Sequence, residues 1–209
     1  MARYEAPKPL EPGKYYHIYN RGVNRENIFI QERNYRYFLE KYAIYIEPVA
    51  ETYAYCLLKN HFHILLRVRE KPLPQHLTGL QDLSGVEKST NPSKAFSNLF
   101  NSYARTINQT YGRTGSLFQR PFGRIEVKSE AYFSWLTHYI HFNPQKHGFC
   151  EDFKTWPHSS YQTMLSEKAT KIRKTEVLDW FGGKQAFSQY HQTQTGNPDF
   201  DAMIGDDSF

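Results

Sequence analysis

Hydrophobic and polar positions repeat with two different periods along this chain, and the switches between them outline its elements. Residues 15 to 20, Tyr-Tyr-His-Ile-Tyr-Asn, are β-formers flanked by Gly13 and Arg21-Gly22, and they predict a strand with His17 on the face of Tyr15 and Tyr19. From Gln31 to Ile46 the set Tyr35, Phe38, Leu39, Tyr42 and Ile46 takes helical spacing, and Pro48 stops it. Residues 52 to 58 and 61 to 68 are two β-rich runs separated by Lys59-Asn60, the pattern of an antiparallel hairpin. Strand, helix, strand, strand is the opening half of a split βαβ fold.

Residues 70 to 94 change character, with Pro72, Pro74, Gly79, Gly85 and Pro92, and read as a surface excursion holding a short helix around Leu77, Leu80 and Leu83. Asn91-Pro92 then predicts a capped helix with Phe96, Leu99, Phe100, Tyr103 and Ile107 on one stripe, ended by Gly112. A last strand is expected within 117 to 127, bent or interrupted at Pro121-Phe122-Gly123. Ser129 caps a further helix expected to reach about Phe142 and to end at Pro144, because the residue before a proline is pushed out of the α region. Beyond it come Trp156-Pro157, a basic stretch from Lys168 to Lys174, short helices near 177 to 181 and 185 to 192, and an acidic tail.

Composition narrows the class. A chain of 209 residues with 39% hydrophobic and 22% charged side chains is an ordinary globular protein of one domain with appendages. No apolar run approaches the roughly 18 residues of a spanning helix, and the first residues lack a signal-peptide core, so the expected compartment is the cytoplasm and no membrane is involved. Cys56 and Cys150 are expected to be reduced thiols. The net charge of +5 is a sum of opposed parts: residues 1 to 174 carry 25 basic and 15 acidic side chains, while residues 175 to 209 carry one basic and six acidic. A basic body in which 16% of residues are aromatic suits nucleic acid, since Lys and Arg neutralise phosphates and rings stack on unpaired bases. The plainer reading is a solvated basic surface. The charge split also predicts that the acidic tail competes with such a ligand.

Two constellations carry candidate chemistry. In His61-Phe62-His63 both imidazoles project from one face of a strand while Phe62 enters the core, and two neutral imidazoles can bind a divalent cation if a third ligand comes from elsewhere. In the helix His138-Tyr139-Ile140-His141-Phe142-Asn143-Pro144, Tyr139 and Asn143 lie one turn apart and address one point, whereas His138 and His141 fall off that face. Taken singly, each has a structural alternative: polar strand histidines, and a core tyrosine with an asparagine serving the helix end.

Together, a hydrophobic residue flanked by two histidines on a central strand, followed about 75 to 80 residues later by a helical tyrosine ending in Asn-Pro, resembles the single-tyrosine HUH transposases. More narrowly it is similar to the branch associated with repetitive extragenic palindromes (REPs) in bacteria. The resemblance runs from Tyr15 to Tyr161 through His17-Ile18-Tyr19-Asn20-Arg21-Gly22, Tyr55-Cys56-Leu57-Leu58-Lys59-Asn60-His61-Phe62-His63, Gly115-Ser116-Leu117-Phe118-Gln119 and Trp156-Pro157-His158-Ser159-Ser160-Tyr161. The excursion at 70 to 94 is longer than the family core leads one to expect, and the tail after Gln192 matches no family pattern.

The resemblance implies an α+β fold: a ferredoxin-like βαββαβ sheet with an added helix carrying the tyrosine and a helical C-terminal extension. Residues 1 to 144 would form the core, 145 to 192 an extension packed on it, and 193 to 209 the tail. It implies a nucleoid-associated enzyme acting on single-stranded DNA with a hairpin. By position, His61 and His63 take the metal-ligand role, Tyr139 that of nucleophile, and Asn143 that of the polar residue completing the metal site, where family members often carry Gln. The cofactor would be Mg²⁺ or Mn²⁺; Tyr139 would form a 5′-phosphotyrosyl intermediate and leave a free 3′-OH, and rejoining would need no nucleotide cofactor. DNA contacts are expected from the basic, aromatic stretch Tyr103 to Lys128, through Arg105, Arg113, Arg120, Arg124 and Lys128, with Tyr103 and Phe118 in the core, and from Arg21 and Arg25. The rival readings are a non-catalytic hairpin-binding relative and a structural zinc module, the latter opposed because neither cysteine has metal-ligand spacing. Between monomer and homodimer, a monomer is expected if residues 145 to 192 cover the surface a partner would use.

Overall fold

The computed structural model describes residues 8–73, 90–194 and 197–204. Four strands, β1 (Tyr15–Arg21), β2 (Ala50–Leu57), β3 (His61–Val68) and β4 (Gly123–Val127), form one antiparallel sheet in the order β2-β3-β1-β4. Helix α1 (Glu32–Tyr45) joins β1 to β2, and α2 (Pro92–Tyr111) joins β3 to β4, which is the expected ferredoxin-like βαββαβ path. The register sets Tyr19 opposite His63 on one side and Gly123 on the other, with Arg21 opposite His61.

Because side chains alternate across a strand, the sheet divides two chemistries. Tyr16, Ile18, Phe62, Ile64 and Leu66 face α1 and α2 in a first core with Phe38, Phe96, Leu99 and Tyr103. The other face carries Ala54, Cys56 and Leu65 into a second core built on α3 (Glu130–Lys146). Residues 145–192 pack onto this second face through α4 (Tyr161–Leu165), α5 (Lys174–Phe181) and α6 (Lys184–Thr193), which contribute Tyr161, Met164, Val177 and Phe187. A last helix, α7 (Pro198–Ile204), follows.

The local signals behave as their chemistry dictates. Asn91 caps α2 by accepting from Lys94 N at 3.0 Å, with Pro92 at the first helical position, and Gly112 ends the helix in the left-handed region at φ 61°. Tyr103 and Phe118 are core, and both cysteines are free thiols.

One expectation needs correction. Helix α3 does not end near Phe142; it passes through Pro144 to Lys146. Pro144 costs the bond to the Ile140 carbonyl, but Ile140 and Asn143 are fully buried and Pro144 is buried too, and the turn beyond is closed by His147 N to Asn143 O (3.1 Å) and Phe149 N to Pro144 O (2.8 Å). Tertiary packing outweighs the local preference. The last strand lies in the expected range and is interrupted where expected: Phe118 makes an isolated bridge to Gly22, and regular pairing begins at Gly123. The acidic tail contains α7, whose Phe200 packs on Tyr132 and Trp135 at ring-centroid distances of 5.1 and 5.4 Å. The short helix expected around Leu77, Leu80 and Leu83 lies outside the described residues.

Candidate active site

The end of the sheet where β1 and β3 meet gathers the residues singled out above. His61 and His63 project from one face of β3, toward α3, while Phe62 between them is fully buried in the first core. Helix α3 starts at Ser129, whose hydroxyl accepts from Tyr132 N at 3.2 Å, and runs across that face. One side of it delivers Trp135, Tyr139 and Asn143 at four-residue intervals, each a turn further along.

Asn143 Oδ1 lies 2.9 Å from His61 Nε2, and Asn60 Oδ1 lies 2.8 Å from His61 Nδ1. A neutral imidazole has a single N–H, so it can donate to only one of these two amide oxygens. Tyr139 stacks on Trp135 (centroids 5.1 Å apart, planes at 20°) and meets His63 edge-on at 5.5 Å. Only 4% of Tyr139 is exposed, and its hydroxyl is buried without a hydrogen-bond partner among the described residues. Burying an unsatisfied hydroxyl is costly, a state that Tyr132 Oη and Ser102 Oγ share with it.

Burial keeps the imidazoles uncharged. His61 is pushed down to about 3, chiefly by desolvation and further by the positive fields of His147 and Arg21, against the hydrogen bond to Asn143 Oδ1, which favours the charged form. His63 is held well below the ordinary histidine range by desolvation and then by His17. Neutral imidazole is the form that ligates metal.

The donor set fits a divalent cation. At metal–ligand distances of about 2.1 Å, neighbouring atoms in an octahedral shell stand about 3 Å apart, which is the present separation of His61 Nε2 and Asn143 Oδ1. Among the described residues no group of three or more His, Cys, Asp or Glu could hold a metal ion, so a site here would take an amide oxygen, Asn143, as third protein ligand. Two imidazoles and an amide suit Mn²⁺ at least as well as Mg²⁺.

A cleft of about 340 Å³ opens beside the two histidines, lined by Tyr19, Asn20, Arg21, His61, His63, Gln119, Gly123 and Ile204 but not by Tyr139 or Asn143. Gly123 has a steric reason: a Cβ there would run into the Tyr19 ring, which lies against its backbone. Arg21 donates from Nε to Gln119 Oε1 at 2.8 Å, fixing its guanidinium at the cleft wall. A second cavity of about 620 Å³ adjoins the first through Asn20, Gln119, Pro121 and Phe122 and brings in Arg105, Arg120 and Arg124.

The predicted DNA-contact residues therefore separate. Arg21, Arg105, Arg120 and Arg124 are brought together, although Arg124 is also anchored by Ser93 Oγ (3.0 Å), the Lys8 carbonyl (3.2 Å) and the Phe122 ring (3.9 Å). Arg25 lies in the tight turn after β1, with a left-handed backbone at φ 61°. Arg113 is engaged with Glu26 and Asn108. Lys128 follows the far end of β4, five residues from Gly123 and so about 17 Å along the strand, beside Glu126.

Sequence reasoning missed three neighbours. Lys146 places Nζ 4.8 Å from the Tyr139 ring centroid, and His147 meets His61 edge-on at 5.1 Å. The expected helix end hid both, for they share the Tyr139 face only if α3 continues past Pro144. His17, read as a strand residue facing Tyr15 and Tyr19, has its Nε2 2.9 Å from His63 Nδ1.

No family model matches the chain. A Haemophilus influenzae protein named as a REP-associated tyrosine transposase is 28% identical over 114 residues, which are 53% of this chain and 58% of that relative, so the match spans little more than half of the relative's length. The structure of a REP-associated tyrosine transposase bound to a REP hairpin superposes with a TM-score of 0.55 at 17% identity, covering 78% of this chain and 86% of that one. In sequence and in fold, then, this chain resembles the REP-associated tyrosine transposases.

Proposed function

We propose that this protein nicks and rejoins single-stranded DNA beside a hairpin, with Tyr139 as nucleophile and His61, His63 and Asn143 holding Mg²⁺ or Mn²⁺. The observation that carries the reading is the convergence of α3 on β3: a buried tyrosine hydroxyl with no hydrogen bond sits beside His63, one helical turn from the asparagine that meets His61.

The chemistry is an in-line displacement at phosphorus, in which the protein supplies position and charge. Tyr139 Oη forms a bond to phosphorus and gives its proton to solvent, while the bond to the 3′ oxygen breaks and that oxygen takes a proton from solvent, giving a 5′-phosphotyrosine and a free 3′-OH. A cation held by His61, His63 and Asn143 would polarise a non-bridging phosphate oxygen and help orient the scissile group. Lys146, over the Tyr139 ring, adds a positive field that favours the phenolate. The phosphodiester energy is kept in the tyrosyl ester, so attack by a 3′-OH reverses the step without a nucleotide cofactor. Arg21, Arg105 and Arg120 line the route along which the strand leaves the site, and their charges suit its phosphates.

A second reading, hairpin binding without turnover, is favoured by the 4% exposure of Tyr139 and by Ile204 of α7 lining the cleft. One assay separates the two. Incubation with single-stranded hairpin oligonucleotides and Mn²⁺ or Mg²⁺ should give an SDS-resistant protein–DNA adduct with wild type and none with Tyr139→Phe. Tight hairpin binding with no adduct under any condition supports the second reading instead.

A further inference from the structure

The two histidines of β3 are held differently. His61 has Asn60 on its Nδ1 side. His63 has a third histidine: His17 Nε2 stands 2.9 Å from His63 Nδ1, the rings lie 5.1 Å apart at 23°, and both residues are fully buried. This pair crosses from β1 to β3, and the register that sets Tyr19 opposite His63 places His17 one step back on the same face. Burial holds both imidazoles neutral, so each carries one N–H.

Only one of the two arrangements of that hydrogen bond is compatible with metal ligation. If His17 donates from Nε2, His63 Nδ1 is the acceptor and the His63 proton sits on Nε2, which then faces the site as N–H. If His63 donates from Nδ1, its Nε2 faces the site as a lone pair. Among the described residues each arrangement leaves one buried N–H without a hydrogen bond, on His63 Nε2 in the first and on His17 Nδ1 in the second, so the two are balanced until a cation at His63 Nε2 selects the second. A partner on the outer nitrogen of a metal-binding imidazole also fixes ring orientation and raises ligand basicity.

We infer that His17 is a positioning residue for the cation site: it accepts a hydrogen bond from His63 Nδ1 and so turns the His63 Nε2 lone pair toward the ion. This rests on the cation site proposed above. Tyr19, the next residue outward on that face, stacks on His63 (6.0 Å) and lies tilted against His17 (5.0 Å).

The test uses Mn²⁺ alone, without DNA, followed as loss of the free-ion electron paramagnetic resonance signal. His17→Gln keeps an acceptor within reach and should bind Mn²⁺ within about threefold of wild type. His17→Phe keeps the bulk and removes the acceptor, and should bind about 10- to 100-fold more weakly, with metal-free hairpin affinity unchanged. His17→Phe binding Mn²⁺ like wild type overturns the role of His17 and leaves the cation site standing; wild type taking up no Mn²⁺ overturns both. A readout that needs no variant is the ¹⁵N spectrum of the imidazoles in the Mg²⁺-loaded full chain. His63 should show a protonated Nδ1 and a bare Nε2, and a protonated Nε2 overturns the inference.

Discussion

The two faces of the sheet are built from the same strands and have opposite chemistry. On the α1/α2 side, β3 contributes Phe62, Ile64 and Leu66 to a lattice of rings in which Phe62 lies 5.2 Å from Phe38 and 5.9 Å from Phe100. On the α3 side the same strand contributes His61 and His63, and all six buried histidines among the described residues (His17, His61, His63, His138, His141 and His191) lie there. The first face stabilises by excluding water from hydrocarbon. The second buries polar groups that must find partners: His141 bridges His191 (2.9 Å) and Ser160 (2.7 Å), and His191 Nδ1 donates to the Phe187 carbonyl (2.8 Å). Alternation along a strand lets one element serve stability and chemistry separately.

Substitutions on the two faces should break apart accordingly. The largest effect belongs to Tyr139→Phe: cleavage of a hairpin oligonucleotide should fall by at least about 10³-fold, yet thermal denaturation should show the fold unharmed or up to about 1 kcal/mol more stable, since the lost hydroxyl makes no hydrogen bond. A clear loss of stability would give that hydroxyl a structural role. On the opposite face Phe62→Ala should cost about 3–5 kcal/mol in urea unfolding, whereas His61→Ala should abolish cleavage while metal-free hairpin binding persists.

Acid should attack only the histidine face. His17, His61 and His191 are pushed down to about 3 by burial, and His63 and His141 lie well below the ordinary 6.5. The unfolded chain therefore takes up protons first as pH falls. Stability is full above about 6.5 and declines toward about 3, by about 1.4 kcal/mol per histidine for each pH unit. Urea midpoints measured from pH 7.5 to 5.0 should drop steeply, and a flat profile would contradict the burial of these rings.

Smaller effects concern the cleft. Removing residues 197–209 should raise cleavage severalfold, because Ile204 lines the cleft and Phe200 anchors α7 on Trp135. These contacts are apolar, so the gain should persist at high salt; a gain confined to low salt would instead favour competition by the tail's charge. Least of all, Lys128→Ala should leave hairpin affinity unchanged, while Arg105→Ala and Arg120→Ala weaken it and flatten its salt dependence.

Much of this was legible in the chain because the signals were local. The period-2 runs, Asn91-Pro92, Gly112 and the capping serine act through neighbours in sequence, and they placed the sheet, α1, α2 and the start of α3. Misreadings arose where tertiary packing opposed a local rule. Pro144 reads as a stop, but burial of Asn143 and Ile140 carries the helix past it, and with it Lys146 and His147 come to the Tyr139 face. The pairing of His17 with His63 joins residues 46 apart in sequence and follows only from the β1/β3 register. The seating of α7 was equally invisible, since nothing in an acidic tail announces that Phe200 and Ile204 find an apolar berth.

The central claim, that one tyrosine among sixteen is the nucleophile, is tested most directly by mass spectrometry of the trypsin- and nuclease-digested adduct formed with a hairpin oligonucleotide and Mn²⁺. A nucleotide should be found on the peptide containing Tyr139, linked through its 5′ phosphate. A nucleotide on any other residue, or linked through a 3′ phosphate, would contradict the mechanism.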